Sequence, residues 1–429
     1  MDSDSSGRLD QLRTVLAESL SGGQHHPAWP PLGIRLEGVS VIKSWLEKAQ
    51  SIGEQIVAYR REFHQIPELG FDLPQTTSRV ASFLEDLGIQ TTEVGGGLVG
   101  VIEGGSPEGP VIALRADMDA MPGQEATGLE FASIHDGRIH SCGHDAHMAI
   151  LIGAAACLNE HKEAWRGKVK LIFQPAEELV SGARAMIEEG VLEDPEVDLI
   201  LGLHVWQPIE SGRVGLRPGA MMASTDTFEI QVLGKSAHGA MPHEGTDAIA
   251  ASASFISNVQ ASLGRVLPSQ ENYVLTFGRI AGGAKANIIA DKVVLEGTFR
   301  AFEPDVRDRI AEQIKKSLEA EATRYGTQWR YDLQHAAPPT INDPELTGRV
   351  EKSLVKIFGP ENVLEYGPVL PAEDFSEYAA RVPGVLFFLG VGSSQHSWPH
   401  HHPKFDLDEG ALPAGAAALA QSVSDLSGA

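Results

Sequence analysis

"HSCGHDAHMAILIGAAACLNEHKEAWRGKVKLIFQP" (140–175) holds a cluster of metal-loving side chains, a helix and a strand in one run. The stretch from His147 to Trp165 has the apolar content and length of a helix. "KVKLIFQP" (168–175) is a short apolar run that reads as a buried strand. Working outward, "GLVGVIEG" (97–104), "PVIALRAD" (110–117) and "VDLILGLHV" (197–205) are further buried strands, and "ELVSGARAMIEEG" (178–190) reads as a helix between two of them. Strands alternating with helices predict a layered α/β domain around a mostly parallel sheet. Asp117, Asp119, Glu177, Glu178 and His204 fall at or just beyond the carboxyl ends of these strands. Open α/β sheets build their sites along that edge.

Flanking segments extend this domain. Val41, Ile42, Trp45, Leu46, Ile52, Ile56, Val57 and Tyr59 recur at helical spacing from Ser40 to about Phe63, and "QTTSRVASFLEDLG" (75–88) is a helix stopped by Gly88. Residues 1–40 read as an extension: a short amphipathic helix and then a Gly/Pro/His-rich linker, "SGGQHHPAWPPLG" (21–33). Past Met222 the pattern changes. "DTFEIQVLGK", a long helix over 246–266, "NYVLTFGRIAGG", "ADKVVLEGTFRAF", a helix over 305–326 and "QWRYDLQHA" follow in a β-α-β-β-α-β order. That order predicts an α+β ferredoxin-like unit inserted over 222–333, with the first domain built from 41–221 and 334–429. A helix from Pro344 to Phe358 and the strand "GVLFFLGVG" (384–392) return the chain to the first domain.

A chain of 429 residues is long enough for two domains, and 42% hydrophobic with 21% charged residues is ordinary for a globular protein. The net charge of −24 argues against nucleic acid or an anionic membrane surface as partner. Two cysteines, Cys142 and Cys157, make no disulfide framework and fit a reducing compartment. "MDSDSSGRLDQL" lacks the basic-then-apolar layout of a signal peptide, and no run reaches the ~18 uncharged apolar residues of a membrane span. The expectation is a cytoplasmic protein.

Each chemistry-bearing residue has an ordinary explanation alone. An Asp at a strand end can cap a helix, a Glu pair can complement a helix dipole, and a buried His can be a hydrogen-bonded core residue. The set Asp117, Asp119, Cys142, His144, Asp145, His147, Glu177, Glu178, His204 and His400–His402 is harder to dismiss. Thiolate, imidazole and carboxylate are the ligands of a divalent transition metal. Cys142 and His144 share a Gly-containing turn, Glu178 and His204 arrive from separate strand ends, and "HHPKFD" (401–406) can reach the same edge. That exceeds what one tetrahedral ion needs, so two ions about 3.5–4 Å apart are expected. Of the adjacent Glu177 and Glu178, one can coordinate while its neighbour takes a proton from activated water; the sequence leaves either order open. His238 reads as a loop histidine or as an electrophile for a developing oxyanion. Asn287 reads as a turn former or as a substrate contact.

"RREFHQIPELGF", "ALRADMDAMP", "DGRIHSCGHDAHMAILIGAA", "LIFQPAEE", "LGLHVW", "RIAGGAKANIIADKVVLEGTFRAF", "PAEDFSEY" and "HHPKFDLDE" together resemble the aminoacylase–carboxypeptidase family of dinuclear metallohydrolases. The similarity is to the branch of hippurate hydrolases, auxin-conjugate hydrolases and N-acyl-amino-acid amidohydrolases, and it spans nearly everything after residue 50. The resemblance implies a catalytic domain with an inserted lid and dimerisation domain, and a homodimer. It implies Cys142, His144, Glu178, His204 and His401 as ligands of two divalent ions, zinc or manganese with cobalt or nickel as alternatives, and His402 as the other choice for the last ligand. It implies Glu177 as general base, Asp119 as organiser of the site, His238 reaching the substrate, and Asn287 and Arg300 near a substrate carboxylate. Ser141 and Ala290 stand where relatives usually have Ala and Pro. The expected reaction is hydrolysis of an N-acyl or N-aroyl amino acid. Deamination of a small aromatic acid, peptide cleavage and a non-catalytic metal-stabilised binding protein are the rival readings.

Overall fold

The computed structural model describes residues 44–428. The helix and linker expected over 1–40 lie outside them, as do Val41 and Ile42. The helical stretch expected to run to Phe63 is two helices, α1 (Trp45–Ser51) and α2 (Gly53–Gln65), joined at Ile52, which leaves helical geometry at φ −111° and ψ 14°. Ser44 and Glu47 close a reciprocal capping box on α1. After α3 (Pro74–Asp86) come β1 (Thr91–Val94), β2 (Gly97–Glu103), β3 (Val111–Asp117), α4 (His144–Glu160), β4 (Lys168–Gln174), α5 (Gly182–Glu188), β5 (Leu199–Glu210) and β6 (Val214–Leu216).

The inserted unit then contributes β7 (Thr225–Leu233), α6 (Ala248–Val266), β8 (Tyr273–Gly282), β9 (Lys292–Ala301), α7 (Pro304–Tyr325) and β10 (Gln328–Ala337). The chain returns through α8 (Pro344–Phe358), β11 (Val363–Glu365), β12 (Gly384–Gly392) and α9 (Leu412–Leu426).

The central sheet has eight strands in the order β1-β2-β4-β3-β5-β12-β6-β11. Its middle strands, β4, β3, β5 and β12, run parallel. β2 pairs antiparallel with β4, and β6 antiparallel with β12. Alternate residues of each middle strand enter two cores. Leu114, Leu171, Leu201 and Phe387 pack under α4 and α9. Ala113, Ile172, Ile200 and Leu386 pack with Met186 and Tyr378 on the other face. This is why these strands read as continuous apolar runs. α4 is buried almost throughout because it lies between the sheet and the helices α2 and α9; a helix apolar all round is a buried one.

The second sheet is antiparallel, in the order β8-β9-β7-β10, with α6 and α7 on one face and a core of its own. Asp247 caps α6 by accepting from the amides of Ile249 and Ala250. Among the described residues no helix is long and apolar enough to cross a membrane.

Candidate metal centre

Gly143 makes the turn that sets Cys142 beside His144. Its φ of 98° is left-handed, and a Cβ there would lie 2.3 Å from Val205 Cγ2, so glycine is required on both counts. His144, at the first position of α4, donates Nδ1–H to the carbonyl of Asp119 at 2.7 Å, which leaves its buried Nε2 without a partner. His204 donates Nδ1–H to the carbonyl of Val205 at 2.6 Å and turns Nε2 to 3.6 Å from Cys142 Sγ. Both imidazoles are therefore fixed by one nitrogen with the other facing the pocket, the arrangement metal-bound histidines adopt.

Glu177 and Glu178 do not open a helix, contrary to the reading of 178–190. They sit in a turn between Ala176 and Val180, whose φ values of 53° and 52° are left-handed, and α5 begins only at Gly182. The cause is Asp119. Its Oδ1 accepts the amide of Glu177 at 2.9 Å and its Oδ2 the amide of Glu178 at 3.2 Å. The turn hangs from that carboxylate, with the two glutamate carboxylates both within reach of His144.

The three consecutive histidines point three ways. His400 is half-buried against Trp206 and Phe405. His401, with a left-handed φ of 65°, brings Nε2 to 3.4 Å from Cys142 Sγ and 3.6 Å from Glu178 Oε1. His402 stacks on Trp398, centroids 4.3 Å apart. The structure thus sets His401, and not His402, beside the cysteine.

Two groups of donors share Cys142: Cys142, His144 and His204, and Cys142, Glu178 and His401, with the ligand atoms of each within 4.8 Å of one another. Glu177 lies beside His144 and Glu178, its Oε2 3.8 Å from His144 Nε2. Burial, with Glu178 and Glu177 close by, pushes the Cys142 thiol well above its ordinary pKa. Burial, with Glu373, Asp374 and Glu178, does the same for the Glu177 carboxyl. Burial opposes charge on His144, but Asp117 and Asp119 outweigh it and push that pKa up to about 10. Bound cations displace the protons that such crowded donors hold. With His144 Nε2 and Glu178 Oε1 buried and without a hydrogen-bond partner, the donor set fits divalent metal ions.

Other candidates are spoken for. Asp145 accepts from Arg60 at 2.8 Å and from His64 at 2.7 Å, tying α4 to α2. His147 bonds Asp117 and the backbone of β5. His238 is exposed, its Nδ1 accepting from the amide of Ala240; its backbone bridges Ile288, and the carbonyl of Asn287 accepts the amide of Gly239 at 2.8 Å. Arg300 donates to the carbonyl of Leu370 at 3.1 Å. No hydrogen bond or ion pair among the described residues joins these last three to the Cys142 cluster.

The sequence reading assigned no role to a hub directly behind Glu177. Arg115 is buried and donates to Gln174, Asp117, Glu373 and Asp374, all at 2.7–2.9 Å. Its one sequence signal is an arginine inside the apolar run "PVIALRAD".

The profile described as peptidase family M20/M25/M40 matches residues 113–425. N-acetyl-L-cysteine deacetylase of Bacillus subtilis (strain 168) is 38% identical over 383 residues, covering 89% of each chain. IAA-amino acid hydrolase ILR1-like 2 of Arabidopsis thaliana is 35% identical, covering 86% of this chain and 84% of that protein. The crystal structure of the Bacillus subtilis YXEP protein, a dinuclear metal binding peptidase from the M20 family, superposes with a TM-score of 0.77 at 33% identity, covering 87% of this chain and 98% of that one. The chain belongs to peptidase family M20/M25/M40 and is a metal-dependent hydrolase of C–N bonds.

Proposed function

We propose that this amidohydrolase cleaves the amide bond of an N-acyl or N-aroyl amino acid, with Glu177 as the general base. The observation that carries the reading is that only one of the two adjacent glutamates is grouped with Cys142. Glu178 belongs to a Cys142 triad, whereas Glu177 stands beside the pocket and in neither triad, held by its amide to Asp119. Cys142, His144 and His204 would hold one divalent ion, and Cys142, Glu178 and His401 the other; zinc or manganese suits these donors, with cobalt or nickel as alternatives. Bound there, the ions would supply Lewis-acid polarisation of the carbonyl and a water of lowered pKa. Glu177 takes the proton from the attacking water and delivers it to the leaving nitrogen.

His238 is assigned to the carbonyl oxygen as charge develops there, and Asn287 and Arg300 to the substrate carboxylate. The proximity of the His238 and Asn287 backbones supports a joint role. We assign 222–333 as lid and dimerisation domain, and 41–221 with 334–429 as catalytic domain. Two copies in the cytoplasm would pair along β8, the outer strand of its sheet, beside an open groove of about 400 Å³ lined by Ile256, Leu275, Phe277 and Ile280.

The test is Glu177→Gln. It should keep the full metal content and lower kcat by roughly 10²–10⁴, measured as amine release from a panel of N-acyl and N-aroyl amino acids. A near-normal rate would remove Glu177 from the role. Ammonia release from aromatic amines, with the amides untouched, would replace amide cleavage by ring deamination.

A further inference from the structure

We infer that His147, the third histidine of the 140–147 run, is a positioning residue that aims His204 and is not itself a ligand. The inference rests on the reading of His204 as a ligand. The His147 ring is 2% exposed and lies 4.5 Å from the His204 ring, near enough to the donors to be mistaken for one. Both of its nitrogens are committed. Nε2 accepts the amide N–H of Val205 at 2.8 Å, and Nδ1 faces Asp117 Oδ1 at 2.6 Å.

A backbone N–H can only donate, so Nε2 carries the lone pair and the proton sits on Nδ1, where it is given to Asp117. Asp117 is held in turn by Arg115, through its other oxygen at 2.7 Å. No lone pair remains on His147 for a metal.

Val205 is clamped from two sides. His147 takes its N–H, and its carbonyl takes His204 Nδ1–H at 2.6 Å. The orientation of His204 Nε2 toward Cys142 therefore depends on where the Val205 backbone sits; β12 flanks it in the sheet, and His147 holds its N–H. The chain Arg115–Asp117–His147–Val205 is a tether whose far end is the imidazole of His204.

The experiment uses the full chain, freed of metal and titrated with Co²⁺ against a competing chelator, while the visible absorption bands are recorded. His147→Leu should weaken one of the two bound ions by about 10–100-fold and shift the bands. His147→Gln, whose amide can both donate to Asp117 and accept from Val205, should return affinity and spectrum to within a few-fold of the parent. His204→Ala should lose the same ion. Parent-like binding by His147→Leu, or equal losses in Leu and Gln variants, overturns the inference while His204 stands as a ligand. If His147→Leu does not fold, the Gln variant alone decides: near-parent affinity supports the tether, and a loss of tenfold or more ends it. If His204→Ala keeps both ions at parent affinity, the ligand assignment fails, and the tether with it.

Discussion

The two sheets of this chain bury their strands differently, and the chemistry divides along the same line. Every residue of β12 is buried, as are all but the first of β4, because helices and loops cover both faces of the central sheet. In the inserted unit β8 has no fully buried residue and β10 alternates exposed with half-buried positions, because only one face is covered. A side chain just beyond a strand packed on both faces inherits a fixed backbone. A side chain on a loop of a one-sided sheet is presented to whatever approaches. Glu177 and Glu178, just past β4, are of the first kind, and His204 lies within β5 itself; His238 and Asn287 are of the second.

Matched substitutions would break or sharpen this contrast. Phe387→Ala in β12 should cost about 3–5 kcal/mol in urea unfolding, and Phe277→Ala in β8 clearly less, because Phe277 is only half-buried. Equal costs would mean that the sheets are packed alike. His64 offers a pH test within the rigid part. Burial opposes its protonation, but hydrogen bonds to Asp145 and Glu125 outweigh burial and raise its pKa above 6.5. A raised folded-state pKa stabilises fully below the unfolded value, and that stability is lost as pH rises through the folded one. His64→Gln should therefore cost about 1.5–3 kcal/mol near pH 6, a gap that closes as pH climbs above 6.5; a gap that widens instead would reverse the assignment. Asp247→Ala, which removes the cap of α6, should cost about 1 kcal/mol by thermal unfolding, and leave metal content untouched. Ile280→Asp on the exposed edge strand should change stability by less than about 0.5 kcal/mol yet convert a dimer to a monomer in sedimentation.

Much of this could be read from residues alone, and the exceptions share a cause. The strands of the central sheet were legible because they are apolar without interruption, and the inserted unit because its six elements come in a known order. Cys142 and His144 were legible because they share a turn. The turn at Glu177–Glu178 was not, because the left-handed residues are Ala176 and Val180, whose identity gives no hint of it; the determinant is Asp119, 58 positions away. Arg115 meets Glu373 across 258 positions. His147 resembles the nearby His144 in its local sequence, and its partners on β3 and β5 set it apart. Long-range hydrogen bonds leave no periodicity to read.

β12 lies between β5 and β6, although it is made long after both. While the polypeptide emerges from the ribosome, β5 must wait with one flank open, and Cys142 waits for His401, 259 residues later. An unpaired apolar strand is a template for wrong partners, so this protein should depend on chaperones during synthesis more than its finished state suggests.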